Sequence, residues 1–202
     1  EKIPSEKELS EEYSVSRITI RRAVEELCDE GYLVKQHGKG TFVNKPKLYR
    51  KVTQSNYVES FTETCRSNGM KASGRVVRKQ IVPIRQDEQT FFCLPENSNL
   101  IYISRVRSAD DQPVMMENIF LPYEGNEYLL AADLDKLSLF TLIEQHTGLR
   151  PTNTAQRTIE VLRAPADVAE LLDVPVGEPM FYINVYFQND NKQPVYIGRQ
   201  YM

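Results

Sequence analysis

The stretch PSEKELSEEYSVSRITIRRAVEELCDEGYLVKQHGKGTFV, residues 4–43, decides the fold of the first part of the chain. Ser5 and Glu8 have the three-residue spacing of a capping box, in which each side chain bonds the backbone N–H of the other residue. This spacing predicts that a helix begins here. Leu9 and Tyr13, four residues apart, are then expected on its buried face.

A second helix is predicted directly after a break at residues 14–15. Ser16 is placed to cap its N-terminus, and Gly31 is placed to end it. Two short helices joined by a turn of three or four residues form a helix-turn-helix, whose second helix lies in the major groove of DNA. The apolar residues of this helix recur at helical spacing and are expected to face the core. They are Ile20, Ala23, Val24 and Leu27.

A short hairpin is predicted after the second helix. Residues 33–37 and 41–43 alternate as strands around the tip Gly38-Lys39-Gly40. The tip is basic and carries little side-chain bulk. Its backbone is therefore suited to enter a minor groove, as the wing of a winged helix does.

The residues expected to contact DNA cluster at the N-terminal half of the second helix and at the wing. The positive end of a helix attracts phosphate, and arginine forms two hydrogen bonds with guanine. The alternative interpretation is an ordinary helical hairpin with a solvated basic face. The predicted DNA-binding residues are Lys7, Ser16, Arg17, Thr19, Arg21, His37, Gly38, Lys39 and Gly40.

Charge is distributed unevenly along the 202 residues, although the net charge is only −3. Residues 1–51 hold eleven Lys or Arg and nine Asp or Glu, whereas residues 52–202 hold fourteen and nineteen. Residues 33–51 contain six basic residues and no acidic one. A cluster of basic residues on the wing and the segment after it is typical of a nucleic-acid contact. The acidic remainder of the chain is not expected to contact DNA.

Composition excludes several classes of protein. A hydrophobic content of 41% and a charged content of 26% are ordinary for a soluble globular chain of two modest domains. No apolar run has the length of a membrane span. The three scattered cysteines predict neither a disulfide framework nor a zinc site. We expect a cytoplasmic protein without a metal or cofactor.

The rest of the chain predicts an α+β fold. Helices are expected at residues 57–66, 86–94, 137–146 and 165–172, and strands at 75–82, 100–107, 114–121, 158–162, 180–188 and 195–201. The segments CLPENSNLIYISRVRSADDQPVMMENI and DVPVGEPMFYINVYFQNDNKQPVYIGRQ form an internal repeat, with their Gln-Pro-Val sites 81 residues apart. Two copies are too few for a solenoid. The repeat instead predicts two helix-plus-hairpin units that close one antiparallel sheet.

The order of the N-terminal motifs resembles the winged helix of the GntR family of bacterial repressors. The motifs are P-S-E-K-E-L, V-S-R-x-T-x-R-x-A, E-G-Y-L and G-K-G-T-F-V. The resemblance implies a winged helix-turn-helix DNA-binding domain over residues 1–43. Members of the family carry another helix before this point, so the first helix of the domain is expected to be missing from this sequence.

The remainder resembles the UTRA domain that follows such winged helices in the HutC subgroup. The matching features are S-F-T-E, R-V-R with D-x-Q-P-V and a later Glu, S-L-F-x-L-I, E-L-L-x-V-P-x-G-x-P and the second Q-P-V. Residues 44–54 are expected to form a linker, because the segment is polar and basic and contains Pro46. The resemblance implies a UTRA effector-binding and dimerisation domain at 55–202, with a chorismate lyase-like antiparallel sheet and flanking helices. The family usually has one more strand after the last residues of this chain.

Arg105 and Arg107 lie two residues apart on one predicted strand, so both side chains face the same side of the sheet. Glu117 on the returning strand is placed to face them. A surface ion pair, worth at most about 1 kcal/mol, is one interpretation. The alternative follows from Ile101 and Ile103, whose side chains are expected on the same side of the strand as those of the arginines. It places the arginines in the core, where they need anionic partners such as a phosphate or a carboxylate.

The resemblance to sugar-phosphate-sensing repressors implies an effector held by Arg105, Arg107 and Glu117. Hydroxyls from the S-F-T-E and S-L-F motifs and from the last strand would assist. The candidates are Ser60, Thr62, Ser138, Tyr196 and Tyr201. Related sensors often have P-V-E where this chain has Pro194-Val195-Tyr196, so specificity at the sugar end is open.

The function implied is a DNA-binding regulator, and more specifically a repressor, controlled by a phosphorylated sugar or amino sugar. Its partners would be a palindromic duplex operator, an anionic effector and a second copy of the chain, without a membrane. The alternatives are a sensor of a non-phosphorylated carboxylate, a chorismate-lyase-like enzyme, and a domain that only dimerises. No catalytic motif is visible, so an enzyme is not expected.

Overall fold

The computed structural model describes residues 2–30, 32–43 and 58–202. The chain divides into two compact units, Glu1–Lys47 and Leu48–Met202. The predicted linker at 44–54 and the predicted helix stop at Gly31 lie outside the described residues. None of the helices in the described ranges is both long and apolar enough to cross a membrane.

The first unit has the predicted order of helix, helix and hairpin. Its elements are α1 (Glu6–Glu12), α2 (Arg17–Asp29), β1 (Leu33–Gln36) and β2 (Gly40–Val43). The predicted capping box is confirmed: the Glu8 N–H donates to Ser5 Oγ over 3.3 Å, and the Ser5 N–H donates to Glu8 Oε2 over 2.7 Å. Ser16 caps α2 by accepting from the Thr19 N–H over 3.1 Å.

The core of the first unit is centred on Ile20, Val24 and Leu33. The prediction that Ala23 and Leu27 are buried is wrong, because both are exposed. At 100° per residue, Ile20, Val24 and Cys28 form one arc of α2, and Ala23 and Leu27 fall beyond its edge. Tyr13 is also exposed, since it follows α1 as the C-cap.

The second unit is a single six-stranded antiparallel sheet with helices on both faces, so the α+β prediction is confirmed. The strand order is β3-β4-β5-β8-β7-β6. The helix α5 was not predicted from the sequence. The elements are α3 (Phe61–Ser67), β3 (Ala72–Pro83), α4 (Gln86–Phe92), β4 (Asn99–Ala109), β5 (Gln112–Pro122), α5 (Tyr128–Ala131), α6 (Leu139–Thr147), β6 (Asn153–Arg163), α7 (Ala166–Leu172), β7 (Pro179–Gln188) and β8 (Pro194–Tyr201).

The internal repeat explains the strand order. Each copy is a strand, a helix and a hairpin: β3-α4-β4-β5 in the first copy and β6-α7-β7-β8 in the second. The copies meet where β5 pairs with β8 at the middle of the sheet. Both helices end in a left-handed residue, Cys93 and Asp173, each with φ of 55°. The predicted pair of repeated units closing one sheet is therefore confirmed.

Alternation along the strands separates two faces of the sheet. On the first, which we call the α6 face, Ile101, Ile103 and Ile119 pack in the main core with α5 and α6. On the second, the α4–α7 face, Val106 packs against α7 and Leu100 packs against α4. Burial of these apolar side chains, at about 25 cal/mol per Å², holds both layers of helices to the sheet.

Candidate functional site

The DNA-binding residues predicted on α2 divide into capping residues and exposed cations. Ser16 and Thr19 bond each other through their hydroxyls over 2.9 Å and cap the helix. Arg17 is the first residue of α2 and is exposed. Arg21 donates through Nε and Nη2 to Glu6 Oε2 over 3.1 and 3.0 Å, and this hydrogen bond lowers the pKa of Glu6. Glu6 therefore pairs with the guanidinium of Arg21, whose side chain is still 55% exposed.

The wing contains the predicted glycine-bracketed tip. Gly38 and Gly40 have φ values of 72° and 119°, in the left-handed region that glycine tolerates best. The chain before α1 pairs with β2, since the Ile3 N–H donates to the Thr41 carbonyl over 2.9 Å. A Cβ on Gly40 would lie 2.6 Å from Lys2 Cε. Sequence reasoning missed Lys2, whose place beside the tip depends on this pairing.

The three charged residues predicted for the effector site are brought together on the α6 face. Arg105, Arg107 and Glu117 are each at most 4% exposed. Arg105 Nε and Nη2 both lie 3.0 Å from Glu117 Oε2. The pair is buried, so the interpretation as a surface ion pair is wrong. Arg105 is neutralised inside the protein by Glu117.

Arg107 has no carboxylate partner among the described residues. Its Cζ lies 4.7 Å from the ring centroid of Phe61, and its Nη2 lies 3.4 Å from Thr62 Oγ1. Its Nε makes no hydrogen bond within the described part of the chain. Burial, and then the like charge of Arg105, lowers the pKa of Arg107 to about 10, so it stays charged at neutral pH. A buried cation in this state requires an anion.

Arg107 also depends on a glycine that sequence reasoning missed. A Cβ on Gly74 would lie 3.1 Å from Arg107 Nη1 and 3.2 Å from the Val106 carbonyl. Gly74 pairs with Arg107 across β3 and β4. The close approach of this side chain to the neighbouring strand therefore favours glycine at position 74.

The predicted hydroxyls line the same pocket from two helices. Ser60 caps α3 by accepting from the Glu63 N–H over 3.2 Å, and Thr62 is the second residue of the helix. Ser138 is the N-cap of α6 but makes no side-chain cap bond, so its hydroxyl is not used by the helix. The nine-residue α6 thus directs its positive end towards the pocket.

The pocket contains little free space. Its cavity volume is about 20 Å³, which is room for about one water molecule. Met115, Phe140 and Phe187 are among the apolar residues that line it. A ligand of the size of a sugar is larger than this space, so the side chains or helices that line it would have to move.

The assignment of Tyr201 to this pocket is wrong. Tyr196 lines the pocket and stacks on Phe187 with centroids 4.2 Å apart, but Tyr201 lies on the α4–α7 face beside Tyr182. The two tyrosines are an odd number of residues apart on β8, so they point to opposite faces. Gln200 takes the place of Tyr201, with its Nε2 3.4 Å from Glu117 Oε1. Counting parity along β8 would have identified Gln200.

Two family models match this chain and cover nearly all of it. The model of bacterial regulatory proteins of the gntR family matches residues 1–43, and the UTRA domain model matches residues 67–202. The chain belongs to the GntR family and carries a UTRA domain. It is a transcriptional regulator, not an enzyme, in a family that binds DNA and small-molecule effectors.

Individual relatives are similar to this chain over both the DNA-binding domain and the UTRA domain. The HTH-type transcriptional regulator YurK of Bacillus subtilis is 32% identical over 96% of this chain and 79% of its own length. The HTH-type transcriptional repressor NagR of the same organism is 31% identical over 98% and 82%. The crystal structure of PhnF from Mycobacterium smegmatis shares the fold, with a TM-score of 0.80 and 24% identity over 98% of this chain and 85% of that one.

Proposed function

We propose that the regulator is a repressor released from its operator by a phosphorylated sugar or amino sugar bound in the Arg107 pocket. The repressor assignment is supported by the relative NagR, which is named as a transcriptional repressor. The class of effector is supported by the pocket itself. It combines one buried cation without a carboxylate partner in the described chain with hydroxyls and a buried carboxylate.

Arg107 carries this proposal. A phosphate monoester bears about −1.5 to −2 charges at neutral pH and offers three acceptor oxygens. The guanidinium of Arg107, the Thr62 hydroxyl and the N-terminal residues of α6 all line this pocket. Donors of this kind stabilise a phosphate group more than a neutral one, because charge-assisted hydrogen bonds are roughly twice as strong as neutral ones.

The other end of the ligand is assigned to the Arg105–Glu117 pair. Glu117 Oε2 is occupied by Arg105, while Oε1 faces Gln200 over a long 3.4 Å contact. That oxygen is the acceptor for a sugar hydroxyl or an ammonium group. Tyr196, where related sensors often have glutamate, presents a ring instead of a second carboxylate.

On the DNA side, we propose that Arg17, Arg21 and the wing tip read the operator, with Lys7, Ser16, Thr19 and His37 in support. One winged helix reads only a half-site, so we also propose a homodimer formed through the UTRA domain and a palindromic operator. Light scattering at micromolar concentration should give the mass of two chains. A monomer under those conditions would contradict the dimer, but not the effector site.

Calorimetry tests the effector class. A hexose 6-phosphate and a hexosamine 6-phosphate should bind to the wild type at least tenfold more tightly than the unphosphorylated sugars. Arg107→Gln should abolish this preference, while Arg66→Gln, an exposed arginine on α3, should leave it intact. Calorimetry with a panel of non-phosphorylated carboxylates tests the alternative effector class. If a carboxylate binds tightly and no sugar phosphate does, the phosphorylated class is wrong.

A further inference from the structure

The α4–α7 face contains a groove much larger than the effector pocket. Its volume is about 810 Å³. A row of polar side chains crosses the middle strands, because the register places Ser104, Asn118, Arg199 and Asn184 beside one another on β4, β5, β8 and β7. Of these, Asn118 and Arg199 line the groove. A polar row through the middle of a sheet interrupts what would otherwise be a continuous apolar core between α4 and α7.

The row contains buried charge. Arg199 Nη2 lies 2.8 Å from Asp87 Oδ2 and 3.0 Å from Glu88 Oε1, and its Cζ lies 4.5 Å above the Phe120 ring. Glu88 is 1% exposed, and the geometry of its ion pair leaves Oε1 without a hydrogen bond in the described chain. Ser104 Oγ, also buried, has no hydrogen bond there either. Buried ionic groups contribute little net stability, and unsatisfied ones cost free energy.

The rim of the groove adds cations and aromatic rings. Arg78 on β3 and Arg85 before α4 are exposed and line it. The charged residues that line the groove are these two arginines, Arg199, Asp87 and Glu88, and their charges sum to +1. Four rings also line the groove. They are Tyr102, Phe120, Tyr182 and Tyr201. Guanidinium groups bind carboxylates and phosphates and also stack on flat rings, while tyrosine offers both a ring face and a hydroxyl.

We propose that this groove is a second small-molecule site, which binds an anion carried on a planar ring. The arginines at the rim pair with the anionic group, and the tyrosines stack against the ring. The site lies back to back with the effector pocket. On β5, Glu117 faces the pocket and Asn118 the groove, and on β8, Gln200 faces the pocket and Arg199 the groove. A ligand in the groove therefore contacts two strands, β5 and β8, that also carry residues of the effector pocket.

Binding of 8-anilinonaphthalene-1-sulfonate, a fluorescent sulfonate on planar rings, tests the site in the full chain. The sequence contains no Trp, so emission of the dye is measured without that background. We expect one dye per chain. The double variant Arg78→Gln/Arg85→Gln should weaken binding at least tenfold, and its exposed positions should leave folding intact. Arg75→Gln, an exposed arginine on the same strand that does not line the groove, should bind as the wild type does.

Three results would overturn the proposal. Equal affinity in the double variant and the wild type would place the dye elsewhere on the surface. Loss of the signal in Arg107→Gln would place it in the effector pocket. Affinity that rises on dilution, as an oligomer dissociates, would show that a second copy of the chain covers the groove. None of these outcomes depends on the effector of the Arg107 pocket.

Discussion

At the scale of single residues, the two arginines of the R-V-R motif have different tasks. Arg105 is neutralised by Glu117, whereas Arg107 has no carboxylate partner in the described chain and meets only a ring and a hydroxyl. Since 332/(εr) gives about 4 kcal/mol for a pair 4 Å apart at an effective dielectric constant of 20, these two environments differ greatly in electrostatic energy. We therefore propose that Arg107, rather than Arg105, pairs with the anionic group of the effector.

We predict that Arg105→Ala destabilises the protein more than Arg107→Gln does. Removing one partner of a buried pair leaves Glu117 buried and uncompensated, at a cost of about 3–5 kcal/mol. Urea unfolding should show this loss. Arg105→Met combined with Glu117→Leu should recover most of it, because no charge is then left buried. An Arg105→Ala variant that is as stable as wild type would contradict the conclusion that Arg105 and Glu117 form a buried ion pair.

A second residue-scale prediction concerns the operator. Arg17→Ala should cost about 1–3 kcal/mol of binding free energy and relax specificity at one base pair, because a base contact is lost. Lys7→Ala should weaken binding to all sequences alike, because its contact is to phosphate. Fluorescence anisotropy with the operator and with single-base variants separates the two. Unchanged operator affinity of Arg17→Ala at matched salt would reject the docking of α2.

At the scale of elements, α3 and α6 both line the effector pocket, and Arg150 bridges them. Arg150 Nη2 donates to Glu63 Oε1 on α3 over 2.6 Å, and Nη1 donates to Glu144 Oε2 on α6 over 3.0 Å. Burial alone would raise the pKa of Glu63, but the Ser60 hydrogen bonds and Arg150 bring it below its ordinary value. Since the cavity has room for about one water, we propose that this link opens when an effector enters.

We predict that Arg150→Gln loosens α3 without unfolding the domain. Partly exposed ion pairs contribute at most about 1 kcal/mol each, so global stability should change little. Hydrogen exchange of the α3 amides should be faster than in wild type, and the association rate of the effector should rise. Lys136→Gln, which removes an exposed pair with Asp133, is the matched control. Equal exchange of α3 in both variants would show that Arg150 does not close the pocket.

Elements were predicted well from sequence where the signal is local. The Ser5–Glu8 capping box, the glycine-bracketed wing and the two Gln-Pro-Val hairpins each depend on residues close together in the chain. The missed features depend on tertiary contacts. Lys2 lies beside the wing because it pairs with β2. Glycine is favoured at position 74 because the Arg107 side chain approaches the backbone there closely. Gln200 is an exception, since strand parity alone assigns it to the pocket.

At the scale of the whole molecule, chain order connects the proposed sensor to the DNA-binding unit. The α3 helix begins at residue 61, shortly after the segment 44–57 that joins the two units in sequence. An effector that moves α3 therefore acts near the end of that segment. If effector and operator favour different arrangements of the two DNA-binding units of a dimer, each weakens binding of the other by the same factor.

The measurement that tests this account most directly is operator affinity with and without the sugar phosphate that binds most tightly in calorimetry. We predict that the effector weakens operator binding 5- to 150-fold, about 1–3 kcal/mol, and that the operator weakens effector binding by the same factor. Arg107→Gln should keep the effector-free operator affinity and lose the response. Equal affinity of the effector for free and operator-bound protein would contradict the account and leave the UTRA domain a structural role only.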